Sequence, residues 1–363
     1  MDAFTQHNFN FMATQSMSDE RKQMGWQEET PAFLRQYYAG KEIDETSRRM
    51  IDEADVVIVG NAPPSAVKKR LSEGKMTFQY SERLYKKSYQ RWKWPVRMYR
   101  MWKAYGRFSR FYLLCASAFT AADFAKTHTF VGKAYKWGYF PETKQYDVSQ
   151  LLANKKKNRI LWCGRLIDWK HPDDVIMLAH HLQTKGYDFH LQIIGTGEME
   201  EQLKTLSADY HLENCVEFLG AMSPEAVRAK MEEAGIYLFT SDRGEGWGAV
   251  LNESMNSGCA VVASHAIGSV PFLLTHKENG LVYKSGNLDD LFSKVEYLLD
   301  HPKEREEMGK KAYHTIADLW NAQVAAERFL RLVKEIEDHG YCDLYTEGPC
   351  SPAPKLKDHW FKE

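Results

Sequence analysis

The sequence predicts an α/β protein built from two doubly wound domains, and three observations carry this prediction. At 363 residues, the chain exceeds the size at which a single hydrophobic core usually keeps growing. From residue 159 onward, short apolar runs alternate with amphipathic segments, which is typical of a parallel sheet with crossover helices. The composition, 44% hydrophobic and 27% charged, is that of a globular protein and argues against a disordered or membrane-spanning class.

Five apolar runs in the second half are predicted strands. They are RILWC, HLQIIG, VEFLG, IYLFT and AVVAS, which begin at residues 159, 190, 216, 236 and 260. The first helix between them begins near Pro172, carries an apolar stripe from Val175 to Leu182, and ends at Gly186. Such short connections predict a doubly wound sheet, whose ligands bind beyond the carboxyl ends of the strands.

The first half is less regular. Its candidate strands lie at residues 9–14, 55–60, 76–80 and 111–117. A doubly wound domain normally opens with a strand and a tight glycine-containing turn, and this pattern is missing here. We therefore expect the N-terminal domain to lack its first strand.

Composition shifts divide the chain into five parts. The predicted parts are an N-terminal Rossmann-like domain (1–140), a polar linker with the hinge (141–157), a C-terminal Rossmann-like domain (158–320), a C-terminal helix (321–339) and a tail (340–363).

Charge and cysteine usage place limits on the class of protein. The net charge is −1, and the six cysteines are scattered without metal-ligand spacing, so a reducing cytoplasm is the simpler expectation. The N-terminus lacks a basic segment followed by an apolar one, and no run approaches the roughly 18 apolar residues of a spanning helix. The pairs Asp173–Asp174 and Asp289–Asp290 lie in early helical turns, where acids favour the helix dipole, so we expect no metal.

Two cations follow the strand RILWC. Arg165 and Lys170 stand five positions apart on the loop that leads to the next helix. Preorganised cations of this kind can hold a diphosphate and stabilise the charge that develops when it leaves. The alternative is an ordinary solvated loop, because basic residues are common on loops.

The strongest pattern follows the strand IYLFT, where the sequence reads SDRGEGWGAVLNE. Its acids Glu245 and Glu253 stand eight positions apart, with glycines at 244, 246 and 248. Glycines allow a tight turn, and the free amides at the start of the next helix can hold phosphate. The alternative is a surface helix with two unrelated acids, which three glycines at a strand end make less attractive.

These residues resemble the retaining glycosyltransferases of family 4, also called glycosyl transferases group 1, which have the GT-B fold. The resemblance covers residues 157–320 and also rests on the turn GTGE at 195–198 and on FLG at 218–220. It implies two Rossmann-like domains facing a cleft, with a nucleoside diphosphate sugar as donor substrate, no other cofactor and no metal. It further implies that the C-terminal helix crosses back to the first domain, which binds the acceptor.

The resemblance also implies roles for individual residues. Arg165 and Lys170 would hold the diphosphate, Glu253 the ribose, and Glu245 would lie against the donor sugar as the catalytic residue. The remaining implied donor-binding residues are Gly195 in the glycine turn, Met222 near the base, and Gly248, Ala249, Val250 and Leu251, whose amides would hold the distal phosphate.

Two departures from the family pattern concern the sugar and the acceptor. A GGVPE-like turn often ends in glutamate in this family, whereas here GSVP at 268–271 is followed by Phe272. Many members also place a histidine after an acceptor-domain strand, where this chain has Ser81, Glu82 and Arg83. These three residues are acceptor-side candidates, although they could equally cap a helix.

Residues 83–110 hold ten basic side chains and no acid, interleaved with eight aromatic side chains. This combination suits an anionic membrane surface. The alternative is a solvated face whose long side chains cover a core. No nucleic-acid-binding module accompanies the segment, so nucleic acid is not an expected partner.

The expected function is transfer of a sugar from a nucleoside diphosphate sugar to a saccharide or lipid-linked acceptor with retention. The resemblance to bacterial members suggests surface polysaccharide or glycolipid assembly, in the cytoplasm and peripheral to the inner face of the membrane. Two alternatives stay open: a noncatalytic nucleotide-sugar-binding protein, and a nucleotide-sugar epimerase on the same fold.

Overall fold

The computed structural model describes residues 4, 9–13, 34–36, 45–60, 62, 66–86 and 94–362. The chain divides into two compact units. The first comprises Met1–Gly138 and Ala322–Trp360, and the second comprises Tyr139–Asn321 and Phe361–Glu363. Three basic residues of the segment 83–110, namely Lys87, Arg91 and Lys93, lie outside the described residues.

The elements are numbered along the chain. The strands are β1 (Phe11–Ala13), β2 (Leu34–Gln36), β3 (Val57–Val59), β4 (Thr77–Ser81), β5 (Phe111–Cys115), β6 (Ala134–Lys136), β7 (Arg159–Cys163), β8 (His190–Ile194), β9 (Val216–Gly220), β10 (Ile236–Phe239), β11 (Ala260–Ser264) and β12 (Leu281–Tyr283). The helices are α1 (Glu45–Glu53), α2 (Lys68–Ser72), α3 (Trp94–Met101), α4 (Thr120–Ala125), α5 (Val148–Ala153), α6 (Pro172–Thr184), α7 (Glu200–Asp209), α8 (Pro224–Glu233), α9 (Val250–Asn256), α10 (Val270–Leu273), α11 (Leu288–Asp300), α12 (Pro302–His314) and α13 (Ala322–His339). A π-helical turn (Trp102–Gly106) continues α3, and another (Thr315–Leu319) continues α12.

The first unit contains a four-stranded parallel sheet in the order β3-β4-β5-β6, and β1 and β2 form a separate parallel pair. Each of the four candidate strands in this half therefore contains a strand. The expected absence of an opening strand stays a prediction.

An aromatic core joins this sheet to α13. Phe78 is buried, with its ring centroid 5.2 Å from that of Tyr112 and 4.9 Å from that of Phe329 on α13. Trp137 lies 5.8 Å from the same Phe329 ring. Buried aromatic pairs stabilise a core beyond the area that they bury, so α13 is an integral part of the first unit.

The tail returns to the sheet of the first unit. Lys136 in β6 donates its amide to Ser351 O at 2.7 Å, and Ala353 donates to Ala134 O at 2.9 Å. Tyr135 and Pro352 form an antiparallel bridge. Residues 350–353 thus cover the edge of β6, although the tail sequence shows no strand periodicity.

The second unit contains a six-stranded parallel sheet in the order β12-β11-β10-β7-β8-β9. Five of its strands confirm the five predicted apolar runs, and β12 was not predicted. Helix α6 confirms the predicted first helix, since Val175, Leu178 and Leu182 are buried. Gly186, which follows the helix, has a φ of +77°, a backbone conformation that favours glycine.

The segment 141–157, which its polarity predicts as a linker, is built into the second unit. It contains α5, whose N-cap Asp147 accepts hydrogen bonds from Ser149 N at 3.0 Å and Gln150 N at 3.1 Å. Leu151 is buried against Tyr313 and Ala317. The boundary between the compact units falls before this segment, at residues 138 and 139.

Candidate functional site

The strand order of the second unit defines where a ligand is expected. Strand β7 pairs with β8 on one side and with β10 on the other, so the direction in which the chain winds reverses between β7 and β10. Loops that leave two such strands diverge and open a crevice at their carboxyl ends. The two strongest sequence patterns lie on these two loops, after Cys163 and after Phe239.

An ion pair joins the two loops. Lys170 Nζ lies 2.6 Å from Glu245 Oε2, and both side chains are 13% exposed. Ser241 Oγ contacts the same carboxylate oxygen at 3.3 Å. The structure therefore brings together two of the predicted site residues, and it does so through direct contact between the cation and the acid.

Trp169 lies beside both predicted cations. The Arg165 guanidinium carbon is 5.9 Å from the centroid of the Trp169 ring, and Lys170 Nζ is 4.7 Å from it. Trp169 O accepts a hydrogen bond from Asp242 N at 2.9 Å, which ties the β7 loop to the β10 loop. Trp169 is absent from the residues that the sequence patterns predict for the site, although its position between the two cations was an available signal.

Two glycines of the predicted turns lie in close contacts that leave no room for a side chain. Gly195 has a φ of +130°, and a Cβ there would lie 1.8 Å from Gly164 O. Gly248 has a φ of +81°, and a Cβ there would lie 2.2 Å from Phe239 Cζ. Only glycine fits at either position, which gives the predicted turns at 195–198 and 244–248 a physical basis.

Glu253 differs from Glu245 in its surroundings. It lies inside α9, where burial raises the pKa of its carboxyl and the nearby Arg228 guanidinium partly opposes that rise. Of the amides expected to hold phosphate, Leu251 N already donates to Gly248 O at 3.0 Å. The first turn of α9 therefore engages the Leu251 amide within the chain.

Aromatic residues pack around Trp247 in the glycine turn. Trp247 is buried and donates its indole N–H to Asn252 Oδ1 at 2.9 Å. Its ring lies 6.0 Å from that of Trp320, which stacks on Phe272 at 5.9 Å with an interplanar angle of 16°. The position where the family often has glutamate thus belongs to an aromatic cluster.

Met222, which the resemblance predicts to lie near the nucleotide base, is on the loop that follows β9. Met222 is half-buried between β9 and α8, just before the N-cap Ser223. Gly195 N donates to Gly220 O at 2.8 Å, which links the GTGE turn to the end of the FLG strand.

The acceptor-side candidates lie in the first unit. Arg83 is buried, with Nη2 2.9 Å from an Asp358 carboxylate oxygen and Nε 3.7 Å from Asp123 Oδ2. Glu82 forms an ion pair with Lys86 at 2.7 Å, and Ser81 Oγ donates to Glu82 O at 2.8 Å. Arg83 is thus buried and ion-paired within its own unit, whereas Glu82 forms a partly exposed ion pair there.

A cluster of possible metal ligands adjoins the β7 loop. Ligand atoms of His171, Asp173 and Asp174 lie within 4.8 Å of one another. Burial raises the pKa of Asp174 to about 6, with His171 acting in the opposite direction. Both acids lie in the first turn of α6 as the sequence suggests, and the expectation that no metal is needed stays a prediction.

Comparison with solved structures identifies the architecture. A structure of HepE from Anabaena in complex with UDP matches with a TM-score of 0.63 at 16% identity, over 83% of this chain and 86% of that one. The chain has the GT-B fold. Within this GT-B chain, residues 144–315 match the family of glycosyl transferases group 1, and this range contains all of the predicted donor-binding residues.

Two curated relatives each match less than half of the GT-B chain. An uncharacterized glycosyltransferase of Haemophilus influenzae is 30% identical over 161 residues, which are 44% of this chain and 45% of the relative. The amylovoran biosynthesis glycosyltransferase AmsK of Erwinia amylovora is 35% identical over 155 residues, 41% of this chain and 38% of the relative. The matches thus span less than half the length of either relative.

Proposed function

We propose that the chain is a retaining glycosyltransferase that takes a nucleoside diphosphate sugar as donor and transfers the sugar to an acceptor hydroxyl. The observation that carries the proposal is the Lys170–Glu245 ion pair between the β7 and β10 loops. It lies at the reversal of strand order, in the region that matches glycosyl transferases group 1. A cation for the leaving group and an acid for the sugar are thus adjacent where the fold is expected to bind a nucleotide.

The reaction makes specific demands on these residues. The bond between the anomeric carbon and the diphosphate oxygen breaks, and a new bond to the acceptor oxygen forms on the same face of the sugar. The leaving phosphate oxygen takes the acceptor proton. Arg165 and Lys170 stabilise the negative charge on the diphosphate, while Glu245 stabilises positive charge on the sugar. In this proposal the two cations supply the charge that the leaving group needs, so transfer is independent of metal.

The contact with Glu245 suggests how Lys170 performs two tasks. It holds the Glu245 carboxylate, and its ammonium group has three N–H donors. One donor can stay on Glu245 while the others turn to the diphosphate. Glu253 would hold the ribose, Met222 would lie near the base, and the amides of Gly248, Ala249 and Val250 would hold the distal phosphate.

The acceptor is proposed from the relatives. AmsK is named for amylovoran biosynthesis, and other relatives include a putative colanic acid biosynthesis glycosyltransferase of Salmonella typhimurium. We extend this to a saccharide or lipid-linked acceptor in bacterial surface polysaccharide or glycolipid assembly at the cytoplasmic face of the membrane.

A donor screen tests the proposal. Purified wild type is incubated with UDP-, GDP- and ADP-sugars, and thermal unfolding and donor hydrolysis are measured with and without EDTA. We expect one base to raise the unfolding temperature selectively, Arg165→Ala to weaken that rise, and Glu245→Gln to lower turnover. Lys157→Ala and Glu201→Gln are matched controls, since both side chains are at least 80% exposed.

Any other outcome of the donor screen would replace or overturn a stated part of the proposal. Recovery of an epimerised donor without an acceptor would replace the proposal with an epimerase. Selective binding without turnover on any saccharide or lipid-linked acceptor would replace it with a noncatalytic binding protein. No response of the folded protein to any donor would overturn the site assignment, and loss of turnover in EDTA would overturn metal independence.

A further inference from the structure

One helix of the first unit presents an unusual outward surface. On α3 and the π-helical turn that follows it, Val96, Tyr99 and Trp102 are 56%, 60% and 53% exposed. The exposed basic residues beside them are Arg100, Lys103 and Arg107. We call these six residues the basic aromatic face.

The opposite side of the same helix is anchored in the unit. The Tyr105 ring centroid lies 5.5 Å from that of Phe124 and 5.5 Å from that of Phe130. The Arg97 guanidinium carbon lies 4.2 Å over the ring of Tyr85. Tyr105 and Arg97 therefore cover the interior of the unit, whereas the basic aromatic face points away from it.

The residues of the basic aromatic face are spaced so that several of them lie on one side of a helix. Positions 96, 99, 100 and 103 recur at three- and four-residue intervals, which places them on one side of a helix. The rings of Tyr99 and Trp102 lie 6.4 Å apart. Aromatic, aliphatic and basic side chains thus share one surface, and no acid occurs anywhere between residues 83 and 110.

This chemistry matches one kind of surface better than others. Tyrosine and tryptophan favour the interface of a bilayer, where their rings contact acyl chains and their polar groups stay hydrated. Lysine and arginine add electrostatic attraction to anionic headgroups. A nucleic acid would satisfy the cations, and its bases can stack on exposed rings, but it offers no apolar layer for Val96.

We propose that the basic aromatic face docks on an anionic lipid bilayer, with the helix lying in the plane of the headgroups. No helix among the described residues is long and apolar enough to cross a membrane. An amphipathic helix on a folded unit can instead bind by burying its apolar side chains at the boundary between headgroups and acyl chains. This inference does not depend on the proposed sugar transfer, because it concerns a different unit and needs no donor.

Vesicle binding tests the proposal without any nucleotide. The full chain is sedimented with phosphatidylcholine vesicles and with vesicles that also contain about 30% phosphatidylglycerol, at low and high salt. We expect binding to the anionic vesicles alone, and weaker binding at high salt. Arg100→Ala with Lys103→Ala should lower the partition coefficient roughly 25-fold, since each basic residue near such a surface contributes about fivefold.

The aromatic side chains are tested separately. Tyr99→Ala with Trp102→Ala should reduce binding at least tenfold and leave thermal unfolding unchanged, because both side chains are exposed. The matched control is Tyr341→Ala with Leu344→Ala, which removes two similarly exposed side chains from the same unit and should not alter binding. In vesicles made with brominated lipids, wild-type tryptophan fluorescence should be quenched more than that of Trp102→Phe.

Three results would overturn the proposal. They are equal binding to neutral and anionic vesicles, binding that neither pair of substitutions weakens, and equal quenching of wild type and Trp102→Phe. Duplex DNA is added as a competitor, and preferential binding to DNA would assign the face to nucleic acid instead.

Discussion

The two units place charged side chains after their strands in different ways. After β4 in the first unit, Arg83 is buried between Asp123 and Asp358, and its guanidinium carbon lies 4.7 Å from the centre of the Phe119 ring. After β7 in the second unit, Lys170 pairs with Glu245 while both side chains keep some exposure. In our proposal the Lys170–Glu245 pair is available to a ligand, whereas the Arg83–Asp123 pair, whose side chains are 1% and 2% exposed, holds the first unit together.

The largest effect on folding stability is expected from substitution of Asp123, which lies in a buried network of hydrogen bonds and ion pairs in the first unit. Asp123 accepts hydrogen bonds from Leu84 N at 3.1 Å, Tyr85 N at 3.2 Å and Lys126 Nζ at 2.9 Å, and it also faces Arg83. Asp123→Ala should lower the free energy of unfolding by about 3–5 kcal/mol, because it leaves buried donors without an acceptor. Urea unfolding measures this loss.

The control for that prediction is Glu82→Ala in the same unit. It breaks a partly exposed ion pair with Lys86 and should cost less than about 1 kcal/mol. Equal losses for the two variants would show that burial does not distinguish the two kinds of ion pair.

In the second unit, substitution of one partner of the Lys170–Glu245 ion pair should affect donor turnover more than folding stability. Glu245→Gln should lower donor turnover by about 10²–10³-fold, the usual effect of removing one group that stabilises transition-state charge. Lys170→Met should act on the same step, so the double variant should lose much less than the product of the single losses. Full additivity would contradict a shared role, and a large loss of folding stability would make the pair structural like that of Asp123.

Trp169 should contribute a smaller effect through its neighbours. Trp169→Ala removes the ring that lies beside Arg165 and Lys170. We expect nucleoside diphosphate affinity to fall about fivefold, in line with about 1 kcal/mol for exposed cation–π contacts, and Trp169→Phe to restore part of it. Titration calorimetry measures the affinity, and Trp137→Phe in the first unit serves as the control. Unchanged affinity in Trp169→Ala would remove the ring from the account of the site.

The smallest effect is expected for substitution of Glu253. This change should stabilise the protein, whereas the preceding changes should lower stability, turnover or affinity. Burial raises the pKa of its carboxyl, so its ionisation opposes folding. The protonated form stabilises the fold most below the pKa of the unfolded chain, and this contribution is lost as pH rises through the higher folded value. Glu253→Gln should therefore raise the unfolding temperature slightly at neutral pH and reduce its change with pH in mildly acidic solution. A lower unfolding temperature at neutral pH would show that the carboxylate is stabilised by its surroundings.

Local patterns in the sequence predicted much of the second unit. Strands β7 to β11 and helix α6 follow from apolar periodicity and from proline and glycine positions. The ion pair between Lys170 and Glu245 could not be read in this way, because it joins side chains 75 positions apart. Periodicity places a residue on a strand or loop, but it does not specify which side chain of another loop it will touch.

The site residues outside those patterns were harder to find. The resemblance pointed to an acceptor role for Arg83, whereas its partners Asp123 and Asp358 are remote in sequence and leave no local signal. The stacking of Phe272 on Trp320 explains a departure from the family pattern only after the aromatic cluster is seen. Strand β12 has three residues, too few to show a period.

The tail residues that pair with β6 should also protect the protein from self-association. An uncovered edge strand offers unpaired amides and carbonyls to any other chain with a free edge. Removing residues 350–363 would expose the edge formed by Ala134–Lys136. A truncated chain should then form oligomers or aggregates at concentrations where the full chain stays dispersed, so the C-terminus is a poor place to shorten this protein for crystallisation.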